Sequence, residues 1–438
     1  MGILRNKVLG LIPRNNWDYG LRELVLATST TLSGSQGQAV ELSPALGPEP
    51  VATGSGRASL YAILRALDLP KAARVGVPLF CCSVVFDAIQ RAGFEPEFID
   101  IDLDDFNLSA NDLARKRDRL AAVVVVHMFG NPADMDAIRK ATAGLPIIED
   151  CAQALFSSYK GRPVGLLSEA SFFSFRTGKY VSAGEGSVIL CRDAALRDRI
   201  KAVVNRFGWA SKGAMFLQYL ATYAKAILYR RPWYGLLGYP IGKALDRKLN
   251  LTAKDGFEAR LLAPGHRRII EERLKDFAKK VDLQRQNALY VQTRMSILGA
   301  RLPTQKEGCV SNWFQFPLRF QTEAQRNAAA DYLISRGIDC AKYLDGIANE
   351  ARARYGYTGD CLNAELCSKT VLCVPIYYTL TRRDMDHIVS SLNALDEVFS
   401  SAPAAQPNER DREAEAASGR KRMSCPTALR PPADAPEG

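Results

Sequence analysis

Metal-binding spacings are missing from this sequence. The ten cysteines contain no Cys-x-x-Cys pair, and the three histidines (127, 266, 387) stand far from one another. That argues against a zinc site and a disulfide framework, and for reduced thiols in the cytosol. Internal repeats are absent, and no apolar run is long enough to span a bilayer. The stretch Met1–Arg14 lacks the apolar centre of a signal peptide, and Asn6 spoils a myristoylation signal. What remains is a soluble globular composition, 47% apolar and 24% charged over 438 residues. That length suits two domains and a tail. The net charge of +11 is concentrated, since residues 201–250 hold nine Lys or Arg against one acid, Asp246. One basic block in an otherwise balanced chain suggests a local anionic partner rather than nucleic acid.

Hydrophobic patterning then sets the architecture. Residues 1–50 show little periodicity and read as an extended N-terminal arm. From Val51 helix and strand signals alternate. Thr53-Gly54-Ser55-Gly56-Arg57 opens a helix with Leu60, Ile63, Leu64 and Leu67 on one face, ended by Asp68-Leu69-Pro70. Strands are expected at Arg74–Pro78, Glu97–Ile101, Ala122–Val126, Leu145–Ile148 and Ala170–Phe175. Continuous Val/Ile runs separated by helices predict a mainly parallel sheet in an α/β domain, residues 51–262. A smaller α+β domain, residues 263–400, follows. It has a charged helix from Arg267 to Met295 and a strand with Phe314, Phe316, Leu318 and Phe320. A helix capped at Thr322 stops at Gly337, and a last one runs from Thr381 to about Leu395. The Pro-, Ala- and charge-rich residues 401–438 predict disorder.

The stretch from Ser171 to Gly186 draws the other signals together. An apolar strand stops in a polar, Gly-bearing turn holding one lysine, Lys179, before a second strand, Ser187–Cys191. Desolvation between two buried strands lowers an amine's pKa and suits it to react with a carbonyl. On this stretch alone, Lys179 reads more readily as an ordinary solvated turn residue. In Ile147-Ile148-Glu149-Asp150-Cys151-Ala152-Gln153, Asp150 sits at the end of a buried strand, where a carboxylate needs a facing cation such as a pyridinium nitrogen or else caps the next helix. Gln153 lies three residues on, within reach of a ring's phenolic oxygen. The turn at Ser55 and Gly56 offers free N–H groups for a phosphate, and Ser174 stands five residues before Lys179. His127 reads as structural.

In order, Ser55-Gly56-Arg57-Ala58, Pro96 to Asp102, His127 to Met135, Glu149 to Gln153, Ser174 to Lys179 and Gly184-Glu185-Gly186 resemble the DegT/DnrJ/StrS family of pyridoxal-phosphate sugar aminotransferases. Residues 50–190 carry most of the resemblance. Residues 256–400, with Val374-Pro375-Ile376-Tyr377-Tyr378, are looser. The resemblance implies a fold type I transferase and a homodimer. Lys179 is then the lysine that bonds to the cofactor aldehyde and shuttles protons. Asp150 faces the ring nitrogen, Gln153 the phenolic oxygen, and Ser174, Ser55, Gly56 and Arg57 the phosphate. It further implies an amino-acid donor, glutamate in most relatives, and a nucleotide-linked keto-sugar acceptor. Family dehydratases carry His where Lys179 stands, so transamination is expected. A lyase or dehydratase, and a membrane-associated regulatory protein retaining the pocket, are the alternatives.

Three departures accompany the resemblance. Cys82 occupies the position of a ring-stacking aromatic, leaving either Phe80 or the Cys82 sulfur to pack on the ring. Arg176 stands where a His is common. Glu258, in Gly256–Leu261, replaces an Asn that reaches the neighbouring subunit's phosphate. The basic, aromatic insertion at 201–250 includes a helix from Ala214 to Tyr229. It covers the dimer interface or active site, or lies peripherally on the inner face of a membrane through about 207–240.

Overall fold

Five runs of buried aliphatic and aromatic residues build the middle of a seven-stranded sheet. The computed structural model describes residues 9–34, 49–249 and 258–401. Residues 1–8 and 35–48 of the expected arm, Gly256 and Phe257, and the tail 402–438 lie outside the described residues. The strands are β1 (Val51–Thr53), β2 (Arg74–Pro78), β3 (Glu95–Ile99), β4 (Ala122–Val126), β5 (Ile147–Asp150), β6 (Ala170–Ser174) and β7 (Ser187–Cys191). Their spatial order is β1-β7-β6-β5-β4-β2-β3. β2 to β6 run parallel and β7 runs against both of its neighbours. β4 is buried at every position because both sheet faces are covered.

Two strands are displaced from their expected positions. β3 starts at Glu95, because an edge strand tolerates Pro96. Asp100 leaves the ladder to accept hydrogen bonds from the Asn363 and Ala364 amides. β5 starts at Ile147 and keeps both carboxylates in the ladder, Glu149 beside Val125 and Asp150 beside Val126. Acidic residues at a strand end read as loop, but here each has partners where it stands.

A second, antiparallel sheet follows, from β8 (Ala300–Arg301), β9 (Phe316–Phe320), β10 (Ala341–Lys342) and β11 (Val371–Val374), in the order β8-β9-β11-β10. Phe316, Leu318 and Phe320 enter its core with Leu333, Ile388 and Leu392. Phe314 stays outside the strand, which frees it for the site.

The N-terminal region departs from an extended arm. Leu21–Leu32 form a helix, α1, with Ala27 and Thr31 buried. Helix α2 (Gly56–Ala66) leads the first βαβ unit. The insertion supplies α3 (Lys212–Leu228), a π-turn at Tyr234–Gly238 and α4 (Tyr239–Leu249). The long charged helix is two helices, α5 (Pro264–Leu274) and α6 (Phe277–Gln292). The break at Lys275–Asp276 swings Phe277 fully into the core. α1 crosses α5 at Gly265, where a Cβ would lie 2.6 Å from the Ala27 carbonyl. It joins α3 through the Thr31–Tyr219 hydroxyl pair at 2.9 Å. Among the described residues no helix is long and apolar enough to cross a membrane.

Candidate active site

At the carboxyl end of β6 the chain makes a closed loop that fixes Lys179. The Thr177 amide donates to the Gly184 carbonyl (2.9 Å), Ala183 to Phe175 (2.9 Å) and Lys179 to Arg176 (2.9 Å). Gly184 has φ +103, and a Cβ there would lie 2.9 Å from the Thr222 hydroxyl and 3.1 Å from the His266 ring. Both the backbone region and the close approach require glycine. Lys179 is half-buried, with its amine 5.4 Å from the centre of the Phe314 ring. Burial pushes its pKa down, against the opposing pull of Asp150 and Cys82, while Arg176 adds to the lowering.

β5 delivers two carboxylates with opposite duties. Asp150 Oδ1 accepts from the Ala152 amide (2.9 Å), and the other oxygen takes no hydrogen bond among the described residues. Burial raises the Asp150 pKa, opposed by the Ala152 amide and by the positive fields of Lys179 and His127. Glu149 is fully buried and accepts from Gly165 N (2.7 Å), Leu167 N (2.8 Å), Ser168 Oγ (2.8 Å) and His127 Nε2 (3.1 Å). His127 Nδ1 takes the Ala133 amide (3.1 Å), so Nε2 carries the proton toward Glu149. His127, Glu149 and Cys151 are close enough together to suggest a metal site. Both ring nitrogens of His127 and both carboxylate oxygens of Glu149 are already engaged in these hydrogen bonds, and the pair serves as a scaffold behind Asp150.

Phosphate-type donors gather where α2 starts. The Ser55 hydroxyl accepts from the Ala58 amide (3.2 Å), the ordinary N-cap. At Gly56 a Cβ would lie 3.3 Å from the Phe172 ring and 3.7 Å from Ser174, so the helix start, β6 and the lysine loop converge. Thr53, Ser187 and Ser174 lie in one row across β1, β7 and β6. Arg57 faces Glu185, together with Arg176, Arg260 and Lys225.

The first of the two candidates for packing on the ring is Phe80. That side chain is fully buried, edge-on to Phe129 (6.1 Å) and Tyr343 (6.4 Å). It would have to leave the core to meet a ligand. Cys82 is exposed, so sulfur is the group this turn presents. Gln153 is also engaged, with Oε1 accepting from Phe129 N (3.1 Å) and Nε2 donating to the Tyr343 hydroxyl (2.9 Å). Glu258 pairs with Arg260 in its own chain.

Residues that the sequence did not single out complete the mouth. Asn15, Asn16, Phe314, Tyr377 and Tyr378 line the opening beside Lys179. Trp17 stacks on Tyr229 of the insertion at 4.0 Å, and its Nε1 is 3.6 Å from where a Gly178 Cβ would lie. Asp18 fastens this strand of chain to Lys280 (2.8 Å) and Tyr378 (2.6 Å), and its carboxyl is held at about 2. An unpaired Trp in an aperiodic N-terminus was the only available hint of this wall.

These features fit pyridoxal phosphate. The amine has lowered basicity, a buried carboxylate keeps one oxygen unclaimed, and a glycine opens the helix start beside a hydroxyl. Residues 47–393 match the DegT/DnrJ/EryC1/StrS aminotransferase family. GDP-perosamine synthase of Escherichia coli O157:H7 is 34% identical over 148 residues, 33% of this chain and 41% of that protein. UDP-N-acetyl-3-dehydro-alpha-D-glucosamine 3-aminotransferase of Acidithiobacillus ferrooxidans is 33% identical over 193 residues, 42% of this chain and 52% of that protein. These alignments thus span about half or less of either relative. The fold matches over nearly the whole length. The aminotransferase TlmJ of Streptoalloteichus hindustanus superposes with a TM-score of 0.71 at 22% identity, covering 89% of this chain and all of that one. DesI, solved with its TDP-sugar product, gives 0.68 at 22% identity over 93% and 95% of the two chains. The chain belongs to the DegT/DnrJ/EryC1/StrS aminotransferase family, a family of pyridoxal-phosphate enzymes of fold type I.

Proposed function

We propose that this protein is an aminotransferase that moves an amino group from an amino-acid donor, glutamate, to the ketone of a nucleotide-linked keto-sugar. The relatives named above for perosamine and aminoglucosamine synthesis support the sugar. The lysine of lowered basicity within the field of a buried carboxylate carries the reading.

Each residue then has a task. Bound pyridoxal phosphate supplies an aldehyde that takes up the amino group and a ring that stores electrons. Lys179 Nζ is the group that would hold the aldehyde and, as a free amine, would take the proton from the donor's α-carbon. Burial, which lowers its pKa, favours the neutral, proton-accepting form of the amine. Asp150 holds the proton on the ring nitrogen, and its burial makes that ion pair strong. The first-turn amides at Gly56 and Arg57, with the Ser55 and Ser174 hydroxyls and the Arg57 side chain, bind the phosphate at a helix N-terminus. Gln153, whose Nε2 donates to the Tyr343 hydroxyl, would be the donor to the phenolic oxygen. Cys82 borders the ring face. We place the enzyme in a homodimer, as the family resemblance implies.

Incubation with pyridoxal phosphate should give a visible absorption band. Borohydride should then fix the label on Lys179 in a peptide map, and Lys179→Ala should lose both. Glutamate alone should bleach the band, and Asp150→Asn should slow that bleaching by roughly a thousandfold. Formation of an amino-sugar from a panel of keto-sugar nucleotides completes the test. A wild-type protein that takes no label at position 179 sinks the reading, and bleaching without any sugar product sinks the acceptor alone.

A further inference from the structure

The insertion is fastened to the body on one side and bare on the other. Met215, Tyr219, Thr222 and Ala226 turn the inner face of α3 into the core. Below it, Arg231 grips Asp384 with two 2.8 Å bonds, Arg230 donates to the Tyr19 carbonyl (3.0 Å), and the Tyr234 hydroxyl meets Asp339. The outer face therefore has a defined position.

That outer face is apolar. Leu217 and Leu220 on α3, and Trp233, Leu236, Leu237 and Ile241 beyond the turn, are 41–68% exposed. Trp209 at the approach to α3 is exposed as well. These seven come from 33 residues, yet they make up seven of the seventeen exposed large apolar side chains among the described residues. No charged residue interrupts α3 between Lys212 and Lys225. A solvated helix would carry its charges on this face.

We propose that this face seats the enzyme on an anionic lipid surface. Charge decides between lipid and a second copy of the chain. From Arg199 to Leu245 there is no Asp or Glu and there are eight Lys or Arg. Arg230 and Arg231 are tied to the body, so Lys212 and Lys243 are the exposed cations beside these leucines, and a two-fold contact through this face would bring them together with no acid of the same segment to relieve them. Anionic headgroups complement the same surface, with Lys212 and Lys243 exposed beside the leucines and tryptophans near the water boundary. α3 has 17 residues with Lys225 among them, so it lies along a bilayer rather than across one.

The test uses the full chain and vesicles of phosphatidylcholine, with and without a third of phosphatidylglycerol. At low salt the protein should co-sediment with the anionic vesicles only, with a blue shift of tryptophan emission, and dissociate at high salt. The exposed pairs Leu217→Glu with Leu220→Glu, and Leu236→Glu with Leu237→Glu, should each weaken binding roughly tenfold or more. Unchanged circular dichroism confirms that these variants fold. Failure of the wild type to bind anionic vesicles, or binding by both variants as tight as that of the wild type, overturns the proposal. It is also overturned if sedimentation without lipid shows that a leucine pair converts dimer to monomer, which would assign the face to a second copy. None of these readouts depends on turnover.

Discussion

Glu149 makes the scaffold behind the site testable. Four donors converge on its carboxylate: two backbone amides, a hydroxyl and an imidazole N–H, at 2.7 to 3.1 Å. Glu149→Ala strands all four in a buried space. A stranded buried donor costs about 1–3 kcal/mol, and water entering the vacated volume relieves part of it, so the loss should be about 4–6 kcal/mol. Glu149→Gln keeps one acceptor oxygen but points an NH₂ group at a donor, because His127 cannot switch tautomer while its Nδ1 accepts from Ala133. That should cost about 2–3 kcal/mol. Urea unfolding followed by circular dichroism measures both. The sign with pH follows from the lowered pKa of Glu149, caused by His127, the Gly165 amide and Ser168 against the opposing effect of burial. The carboxylate's contribution is complete above the ordinary value of 4.5 and is lost as pH falls through the lower folded-state value. The gap between wild type and Glu149→Gln should therefore be constant near neutrality and narrow in acid. A Glu149→Gln variant within about 0.5 kcal/mol of wild type at pH 7 would refute the accounting of the four donors.

Two further perturbations probe the surroundings. Cys82→Tyr should supply the aromatic face that the turn lacks and slow loss of pyridoxal phosphate severalfold, read as the decay of visible absorbance on dilution; unchanged decay would place Cys82 away from the ring. His266 is buried beside Tyr219, with Nε2 unpartnered, and burial holds its pKa at about 3. Unfolded chains take up that proton below about 6.5, so this residue costs stability progressively between pH 6.5 and 3. His266→Phe should flatten that part of the stability profile, and an unaltered slope would show that another group is responsible.

Where the sequence was legible, a single element was sufficient. Ala122–Val126 and Arg74–Pro78 lie as expected, because an uninterrupted buried run has one way to hide both faces. The order of Gly56, Asp150, Ser174 and Lys179 was readable because Gly56 begins a helix, Asp150 and Ser174 end strands, and Lys179 lies in the turn that follows Ser174. The lowered basicity of Lys179 was likewise foreseeable from a polar turn closed between two buried strands. α1 was not legible, since Leu21, Val25 and Leu32 point outward and the helix is held by Gly265 and Tyr219, more than 180 residues away. The Lys275–Asp276 break carries neither Pro nor Gly and exists to seat Phe277 in the core. Two residues of one turn were separated only by packing, which sent Phe80 into an aromatic cluster and left Cys82 exposed. Tyr343 reached Gln153 across 190 residues, and Trp17 came to Gly178 through its stack on Tyr229. Local pattern determines which face of one element seeks burial. Which distant side chain fills the space beside it is a property of the whole packed chain, and the walls of this site were settled there.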